Sequence, residues 1–529
     1  MSLRKVLRAA VERVESVFDA AFTPALNPLY HLGSLGWFFF WIVAVSGIYV
    51  YIFFDTGVHD AYASVEYITH VQWYAAGVMR SLHRYASDAL VLVVVLHLLR
   101  EYIMERFRGV RWFAWVTGVP LIWLIYASGV SGYWLVWDKL AQYVAIMTSE
   151  WLDALPFFGE SIASNFVHPS ALSDRFFTLV VFIHIVVPLF LLLLMWVHIQ
   201  RHAYAKANPP RLLAAGSFSA LLVLSFVFPA LSQGPADLTM VPAEVGIDWF
   251  YLPLYPLLDY VSGKTMWLAL GVGTVVLMAL PWIGRRRPAD KARVNPANCN
   301  GCSWCAEDCP FTAITMVPRQ DDSPYSQLPR VDESRCTGCG ICAGACPTAT
   351  PFSRREEQSP GIGLAQSPLA GLRETILSQC APLTGNSRVA VFGCGHGVNG
   401  AYLANESTTF IALSCIAQLP PSFIDFLISR DHVDGVMLTG CRDGDCHYRL
   451  GQQWVRGRIA AERDPRLRQR IPRERVEVLF AGTDQRGLEQ QVLSDFRRRL
   501  SAMGPYQSRT APQSRRPPAD AKEEILTNA

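Results

Sequence analysis

The first half of the chain is a series of long apolar runs separated by short polar connections. Six of these runs, roughly 34–54, 79–104, 114–135, 176–199, 212–232 and 265–284, are long enough to cross a bilayer as helices. A helix satisfies its own backbone polar groups in hydrocarbon, so the pattern predicts an all-α six-helix transmembrane bundle over residues 1–284. The pattern then changes. Residues 299–352 are short, cysteine-rich and polar, which marks a separate small domain. Residues 388–500 alternate strand-like runs, Arg388 to Phe392, Thr409 to Leu413, Gly435 to Leu438 and Val476 to Phe480, with helical stretches. That alternation predicts a C-terminal α/β domain. Residues 285–298 are expected as a basic linker, 353–387 as a second linker, and 501–529, rich in Pro, Ser, Gln and Arg, as a disordered tail.

Charge adds an orientation. The net charge is only +3, but the cations are unevenly placed. Arg4, Lys5, Arg8 and Arg13 precede the first run, and Arg106, Arg108 and Arg111 follow the second. Arg201, Lys206 and Arg211 follow the fourth, and Arg285, Arg286 and Arg287 follow the sixth, whereas residues 55–76 hold no Lys or Arg. Basic loops stay on the cytoplasmic side, so a multi-pass protein of the inner membrane is expected, with both termini and the cysteine-rich part in the cytoplasm. All thirteen cysteines lie beyond residue 298. Without a secretory leader, that usage points to metal ligation rather than disulfides. Nothing in the charge pattern calls for a nucleic-acid partner.

His83 and His97 stand fourteen residues apart on the second run, and His184 and His198 fourteen apart on the fourth. Fourteen residues of helix rise about 21 Å and make nearly four turns, so both histidines of a pair face one way at different depths. Both runs are expected to pass inward, which pairs His83 with His184 near the outer face and His97 with His198 near the inner one. Two such helices can clamp two haems, one above the other. A single membrane histidine is as well explained by a bundle hydrogen bond or a proton relay, but two pairs at identical spacing are not. Gly33 and Gly47, and Gly118 and Gly132, repeat the spacing on the first and third runs. There a porphyrin edge would need close backbone approach, although small-residue helix packing explains any one of them. Arg80 and Arg100 are candidates to hold haem propionates, with interfacial snorkelling as the simpler role. The absence of cysteine from this half excludes a covalently attached haem.

These residues bring the segment from about 28 to 284 close to a known family. "LGSLGWFFFWIVAVSG", "GVMRSLHRYASDALVLVVVLHLLR", "SGYWLVW" and "DRFFTLVVFIHIVVPLFLLLLMWVH" resemble the cytochrome b of quinol-oxidising bc and bf complexes. The stretch "IDWFYLPLYPLL" from Ile247 is similar to that family's Pro-Glu-Trp-Tyr loop at the outer quinol pocket. The resemblance implies two b-type haems, quinone as substrate, and Asp248 and Trp249 as outer-pocket residues. The departures sit there. Asp248 stands for the family's Glu, Ile247 and Val136 for prolines, and Val144 for a tight Gly. A shorter carboxylate can take a proton only if placed closer. An inner pocket near Arg201 and His202 is the other option.

Cys299, Cys302, Cys305 and Cys309 with Pro310, and Cys336, Cys339, Cys342 and Cys346 with Pro347, have the spacing of a bacterial two-cluster ferredoxin. In that arrangement the fourth cysteine of each run ligates the other cluster, and the resemblance implies a small α+β ferredoxin-like domain. One [4Fe-4S] cubane is expected on Cys299, Cys302, Cys305 and Cys346, the other on Cys336, Cys339, Cys342 and Cys309. Structural zinc is the competing reading. In the α/β part the strand ends carry Cys394, Cys415 and Cys441, with Cys446 close behind. Strand ends share one sheet edge, so four thiolates suited to a [2Fe-2S] cluster are expected together. "LTGCRDGDCHYRLGQQWVRGRI" resembles the hydrogenase delta-subunit family, which serves methyl-viologen hydrogenase and heterodisulfide reductase complexes. Zinc or bare thiols remain the alternative. Gly395, Gly397 and Gly400 fit a dinucleotide fingerprint, a weak signal without a ribose-binding carboxylate. Cys380 is expected as a free thiol, and His432 and His447 as structural. The arginines from Arg456 to Arg475 could dock an acidic partner, a solvated face being the simpler reading.

Taken together, the resemblances imply an electron-transfer subunit linking the quinone pool, through two haems, two cubanes and a [2Fe-2S] cluster, to a cytoplasmic flavin or iron–sulfur oxidoreductase. That partner would be of heterodisulfide reductase or dehydrogenase type. Inward electron flow against an inside-negative potential costs about 2.3 kcal/mol per 100 mV, and thiolate clusters often sit at low potential. Quinone reduction is therefore the favoured direction, with quinol oxidation kept open. The alternative is a membrane anchor and electron conduit without its own quinone site. A nicotinamide-dependent dehydrogenase rests on "GCGHGVNG" alone. A homodimer is expected by analogy with the family.

Overall fold

The computed structural model describes residues 3–157, 161–166, 172–200, 206–284, 290–352, 359–366 and 368–506. It divides into two compact units: Met1–Ala289 with Pro310–Ala313 and Asp332–Thr337, and Asp290–Cys309 with Ile314–Val331 and Gly338–Ala529.

The first unit is helical. Its α-helices are α1 (Leu3–Phe22), α2 (Leu32–Tyr51), α3 (Asp60–Glu66), α4 (Val78–Ile103), α5 (Trp112–Val136), α6 (Lys139–Asp153), α7 (Asp174–Gln200), α8 (Arg211–Val227) and α9 (Gly263–Ala279). Each expected crossing has its helix. Among the described residues, α2, α7 and the segment Gly109–Val136 are long and apolar enough to cross a membrane on length and composition, while α8 and α9 are apolar but shorter. The second expected crossing, α4, is 26 residues long but carries Arg80, Arg84, Asp88, Arg100 and Glu101. Many large apolar side chains on these helices are exposed, among them Ile48, Phe182, Leu189, Leu193 and Val275. Such a surface is stable against hydrocarbon and costly against water.

Two pairings organise the bundle: α2 packs along α4, and α5 along α7. Leu35, Phe39, Leu90, Ile125, Val130, Val181 and Leu191 belong to one buried core between them. α5 ends where Trp137 turns into the left-handed region at φ 51°. Asp138 then caps α6 by accepting from the Ala141 amide at 2.8 Å.

In the second unit, β1 (Ala292–Val294) pairs antiparallel with β4 (Ile362–Leu364), and β2 (Ile314–Pro318) with β3 (Gln327–Val331). The β1–β4 ladder lies in residues expected as linkers, as does α12 (Leu369–Cys380). Two short helices, α10 (Trp304–Glu307) and α11 (Ile341–Ala345), carry cysteines. The sheet proper has four parallel strands, β5 (Val389–Cys394), β6 (Thr408–Leu413), β7 (Gly435–Gly440) and β8 (Val476–Phe480), in the order β6-β5-β7-β8. β5 and β7 are buried along their whole length, as expected of parallel strands covered on both faces. The helices around the sheet are α13 (Pro421–Ser429), α14 (Gly451–Ile459) and α15 (Arg486–Met503). From α15, Leu493, Phe496 and Leu500 pack on Val389, Val391 and Met437. Chain order reverses between β5 and β7, and the carboxyl ends of strands at such a switch point form a crevice. Residues 285–289 and 507–529, parts of the expected linker and tail, lie outside the described residues.

Candidate metal centres

Each of the four histidine rings lies against a glycine of the helix paired with its own. A Cβ on Gly47 would stand 2.8 Å from Cε1 of His83, one on Gly33 3.3 Å from His97, one on Gly132 2.9 Å from His184 and one on Gly118 3.2 Å from His198. Hydrogen bonds hold three of the rings, those of His83, His184 and His198, in these notches. His83 Nδ1 is 2.9 Å from the Val43 carbonyl and 3.3 Å from Ser46 Oγ. His184 Nδ1 is 3.0 Å from the Ser128 carbonyl and 3.1 Å from Ser131 Oγ, and His198 Nδ1 is 3.1 Å from Thr117 Oγ1. An Nδ1–H donated to a carbonyl fixes the tautomer and leaves Nε2 available to a metal. The His83 and His184 rings stand edge-on at 69° with centroids 6.3 Å apart, which leaves room for one metal atom between them. The residues therefore fit a haem that both imidazoles would hold.

Arg100 is buried, and its Nε donates to the Glu15 carboxylate at 2.8 Å. Arg80 donates to Thr69 and, at 2.9 Å, to Ser232 Oγ. Asp248 is 8% exposed. It accepts from Arg84 at 2.6 Å, from the Phe250 amide at 2.7 Å and from the Tyr133 hydroxyl. Arg84 also pairs with Asp88. Trp249 is 70% exposed, and Val144 is fully buried on α6. Arg201 and His202 lie outside the described residues.

In the second unit, Cys299, Cys302 and Cys305 line one pocket together with Cys346 from the second run. Gly301, at φ +66°, lets the chain fold back between Cys299 and Cys302, since a Cβ there would meet the Gln327 carbonyl at 2.8 Å. Burial, and then the neighbouring thiols, pushes Cys305 up to about 12. Cys309, Cys339 and Cys342 are buried in this unit, while Cys336 falls in the Asp332–Thr337 segment of the first.

The strand ends bring the other four thiols together. Cys394 closes β5 and lies 3.6 Å from Cys441, just past β7. Cys415 is within hydrogen-bonding reach of Cys394, and Cys446 of Cys441. Gly451 opens α14 beside the remaining two, where a Cβ would stand 2.7 Å from Cys415 Sγ and 3.5 Å from Cys446 Sγ. The hydrogen bond with Cys415, ahead of burial, pushes Cys394 up to about 12, and the one with Cys394 does the same to Cys441. To ionise together, four thiols this close would need positive charge among them, as a bound metal provides. Among the described residues no group of three or more His, Cys, Asp and Glu is placed to hold a metal ion. The dinucleotide reading loses its context. Only the short turn Gly400–Leu403 follows β5, and a Cβ on Gly397 would meet the Gly440 carbonyl at 2.5 Å. Backbone therefore fills the space a pyrophosphate would need.

Three family models match: "Cytochrome b/b6/petB" over residues 17–204, "4Fe-4S dicluster domain" over 298–350 and "Methyl-viologen-reducing hydrogenase, delta subunit" over 396–504. Cytochrome b6 of Trichodesmium erythraeum is 33% identical over 181 residues, which are 33% of this chain and 79% of that protein. The chain belongs to the cytochrome b family. Cytochrome b6 of Porphyra purpurea is 36% identical over 140 residues, 26% of this chain and 64% of the relative. Cytochrome b of Acanthamoeba castellanii is 24% identical over 298 residues, 50% of this chain and 76% of the relative. A solved chain of "Hyperthermophilic respiratory Complex III" aligns with 52% of this chain and 81% of its own length at 20% identity and a TM-score of 0.41.

In the cytochrome b region the histidine spacing gives no hint of Ser46, Thr117 and Ser131, which bond the rings. The sequence does carry a signal for them, because each directly precedes one of the notch glycines, Gly47, Gly118 and Gly132.

Proposed function

We propose that this cytochrome b-family chain is the membrane electron-transfer subunit of a quinone-linked oxidoreductase. Residues 1–284 are the dihaem domain with six crossings, 299–352 the two-cluster domain and 388–500 the domain of the third cluster. The observation that carries the reading is the seating of four histidine rings in four glycine notches, with His83 opposite His184. His83 with His184, and His97 with His198, would hold the haems. Cys299, Cys302, Cys305 and Cys346 would hold one cubane, and Cys336, Cys339, Cys342 and Cys309 the other. Cys394, Cys415, Cys441 and Cys446 would hold a [2Fe-2S] group. Bound in these places, such groups take up and release single electrons. Asp248 would exchange protons with quinone at the outer pocket. The C-terminal domain would serve a cytoplasmic flavin or iron–sulfur oxidoreductase, with quinone reduction as the forward direction.

The conduit reading draws on the ion pair between Asp248 and Arg84, which occupies the carboxylate. Titration of the purified, haem-loaded protein with a quinone analogue separates the two. A shifted haem spectrum and quinol-linked haem reduction are expected. Absence of both refutes the quinone site and leaves the conduit.

A further inference from the structure

Asp308 immediately precedes Cys309 in the dicluster segment and is 1% exposed. Two arginines of the C-terminal segment converge on its carboxylate. Arg458 Nη2 donates to Oδ2 at 2.5 Å, and Arg463 Nε donates to Oδ1 at 2.7 Å. Trp454 Nε1 donates to the Asp308 carbonyl at 3.1 Å, and the Arg463 guanidinium lies 3.6 Å from the centre of the Trp454 ring. Arg458, also 1% exposed, reaches further. Its Nη1 donates at 2.9 Å to the carbonyl of Ala417, two residues past Cys415. A Cβ on Gly344, between Cys342 and Cys346, would stand 2.9 Å from that nitrogen and 1.9 Å from the same carbonyl. Cys339 is near enough to Cys415 to act on its charge.

The balance of charge is unusual. Two guanidiniums against one carboxylate leave one positive charge in a largely buried place, with Arg458 and Asp308 enclosed and Arg463 partly exposed, which is costly unless an anionic group lies close by. Thiolate-bound centres are such groups, and their potentials respond to nearby charge.

We propose that Arg458, Asp308 and Arg463 form a buried cationic bridge that joins the dicluster segment to the four-thiol site and raises the reduction potentials of the centres beside Cys309 and Cys415. This rests on the cluster assignments above. The three side chains are positioning residues that touch neither partner nor substrate. The added electron is favoured because the bridge supplies the opposite charge, with no bond made and no proton moved.

The test is a redox titration of the intact, iron-loaded chain followed by electron paramagnetic resonance, with Arg458→Met, Arg463→Met and Arg458→Lys. Each Met variant is expected to lower both potentials by about tenfold in the redox equilibrium, about 59 mV for one electron. The haem potentials should stay put, and Arg458→Lys should retain the native values. Unmoved potentials in Arg463→Met at full iron and sulfide content overturn the bridge, as does an equal fall in Arg458→Lys. Should Arg458→Met fail to load iron, Arg463→Met decides alone, because the Arg463 side chain is 30% exposed. If the unsubstituted chain holds iron for two cubanes only, the four-thiol assignment fails, and the shift at the centre beside Cys309 still decides the bridge.

Discussion

Gly47→Ala should strip one b haem while leaving its helix intact. A Cβ there would stand 2.8 Å from Cε1 and 3.1 Å from Nδ1 of His83, against 3.4 Å for the start of ordinary contact. The ring must therefore retreat by about 0.6 Å, the difference between 3.4 and 2.8 Å. The same retreat stretches the 2.9 Å bond to the Val43 carbonyl toward the limit at which a hydrogen bond counts as one. Losing that bond costs about 0.5–1.5 kcal/mol, and an off-rotamer ring costs about as much again. The sum of roughly 1–3 kcal/mol weakens haem retention about 5- to 150-fold. Gly→Ala inside a helix favours the helix by about 1 kcal/mol, so unfolding of α2 does not explain a loss. Gly132→Ala, at 2.9 Å, should behave alike, while Gly118→Ala at 3.2 Å and Gly33→Ala at 3.3 Å need only a small adjustment. The assay is haem per protein by pyridine haemochrome, with a potentiometric titration to show which haem is missing. Full occupancy in Gly47→Ala beside loss in Gly33→Ala would refute the seating of the rings.

His184→Ala and His198→Ala should each remove one haem, and a different one, as read by the same titration. Cys446→Ala should lower iron and acid-labile sulfide without touching the haems. Gly451→Ala should do the same, because its Cβ would stand 2.7 Å from Cys415 Sγ; unchanged iron in both variants counts against a third cluster. Asp308→Ala leaves the buried Arg458 with its charge unmatched by that carboxylate and should cost about 3–5 kcal/mol, read as a fall in thermal midpoint of the cluster absorbance. Asp248→Asn should slow quinol-linked haem reduction when the rate is expressed per haem retained, and an unaffected rate speaks for the conduit.

Helical geometry explains why the membrane half was so legible. Fourteen residues return to one face, so His83 and His97, His184 and His198, and the four glycines could be placed before any coordinates. The same holds for the strand ends: Cys394, Cys415 and Cys441 meet because parallel strands finish along one edge. What escaped depends on long-range charge and on backbone collision. Arg458 and Asp308 are 150 residues apart, and no spacing marks them as partners. Gly395, Gly397 and Gly400 satisfy the letters of a dinucleotide fingerprint, but the carbonyl of Gly440 occupies the space. The linkers hid β1 and β4 because three-residue strands carry no periodicity to detect. The basic N-terminus served to orient the chain and gave no reason to expect Glu15 inside, against Arg100.

Glu15 and Asp248 together explain how a charged helix can carry the first haem-ligand pair. Arg84 and Arg100 lie on α4 at either side of the apolar stretch from Ala89 to Leu99, and each is met by a carboxylate from another element, Asp248 and Glu15. An ion pair in this setting offsets the cost of burying either charge. Two pairs at opposite ends do more, because α4 cannot rotate about its axis or slide along it without opening at least one of them. His83 sits one residue before Arg84 and His97 three before Arg100, so the azimuth and depth of both rings are pinned by charged neighbours on the same helix. A two-imidazole site tolerates only small misplacement of its ligands, and this clamp is how α4 meets that demand despite its charges. It also gives Asp248 a structural duty. Were the carboxylate to exchange a proton, it would loosen Arg84, and that transfer would then be tied to the seating of His83.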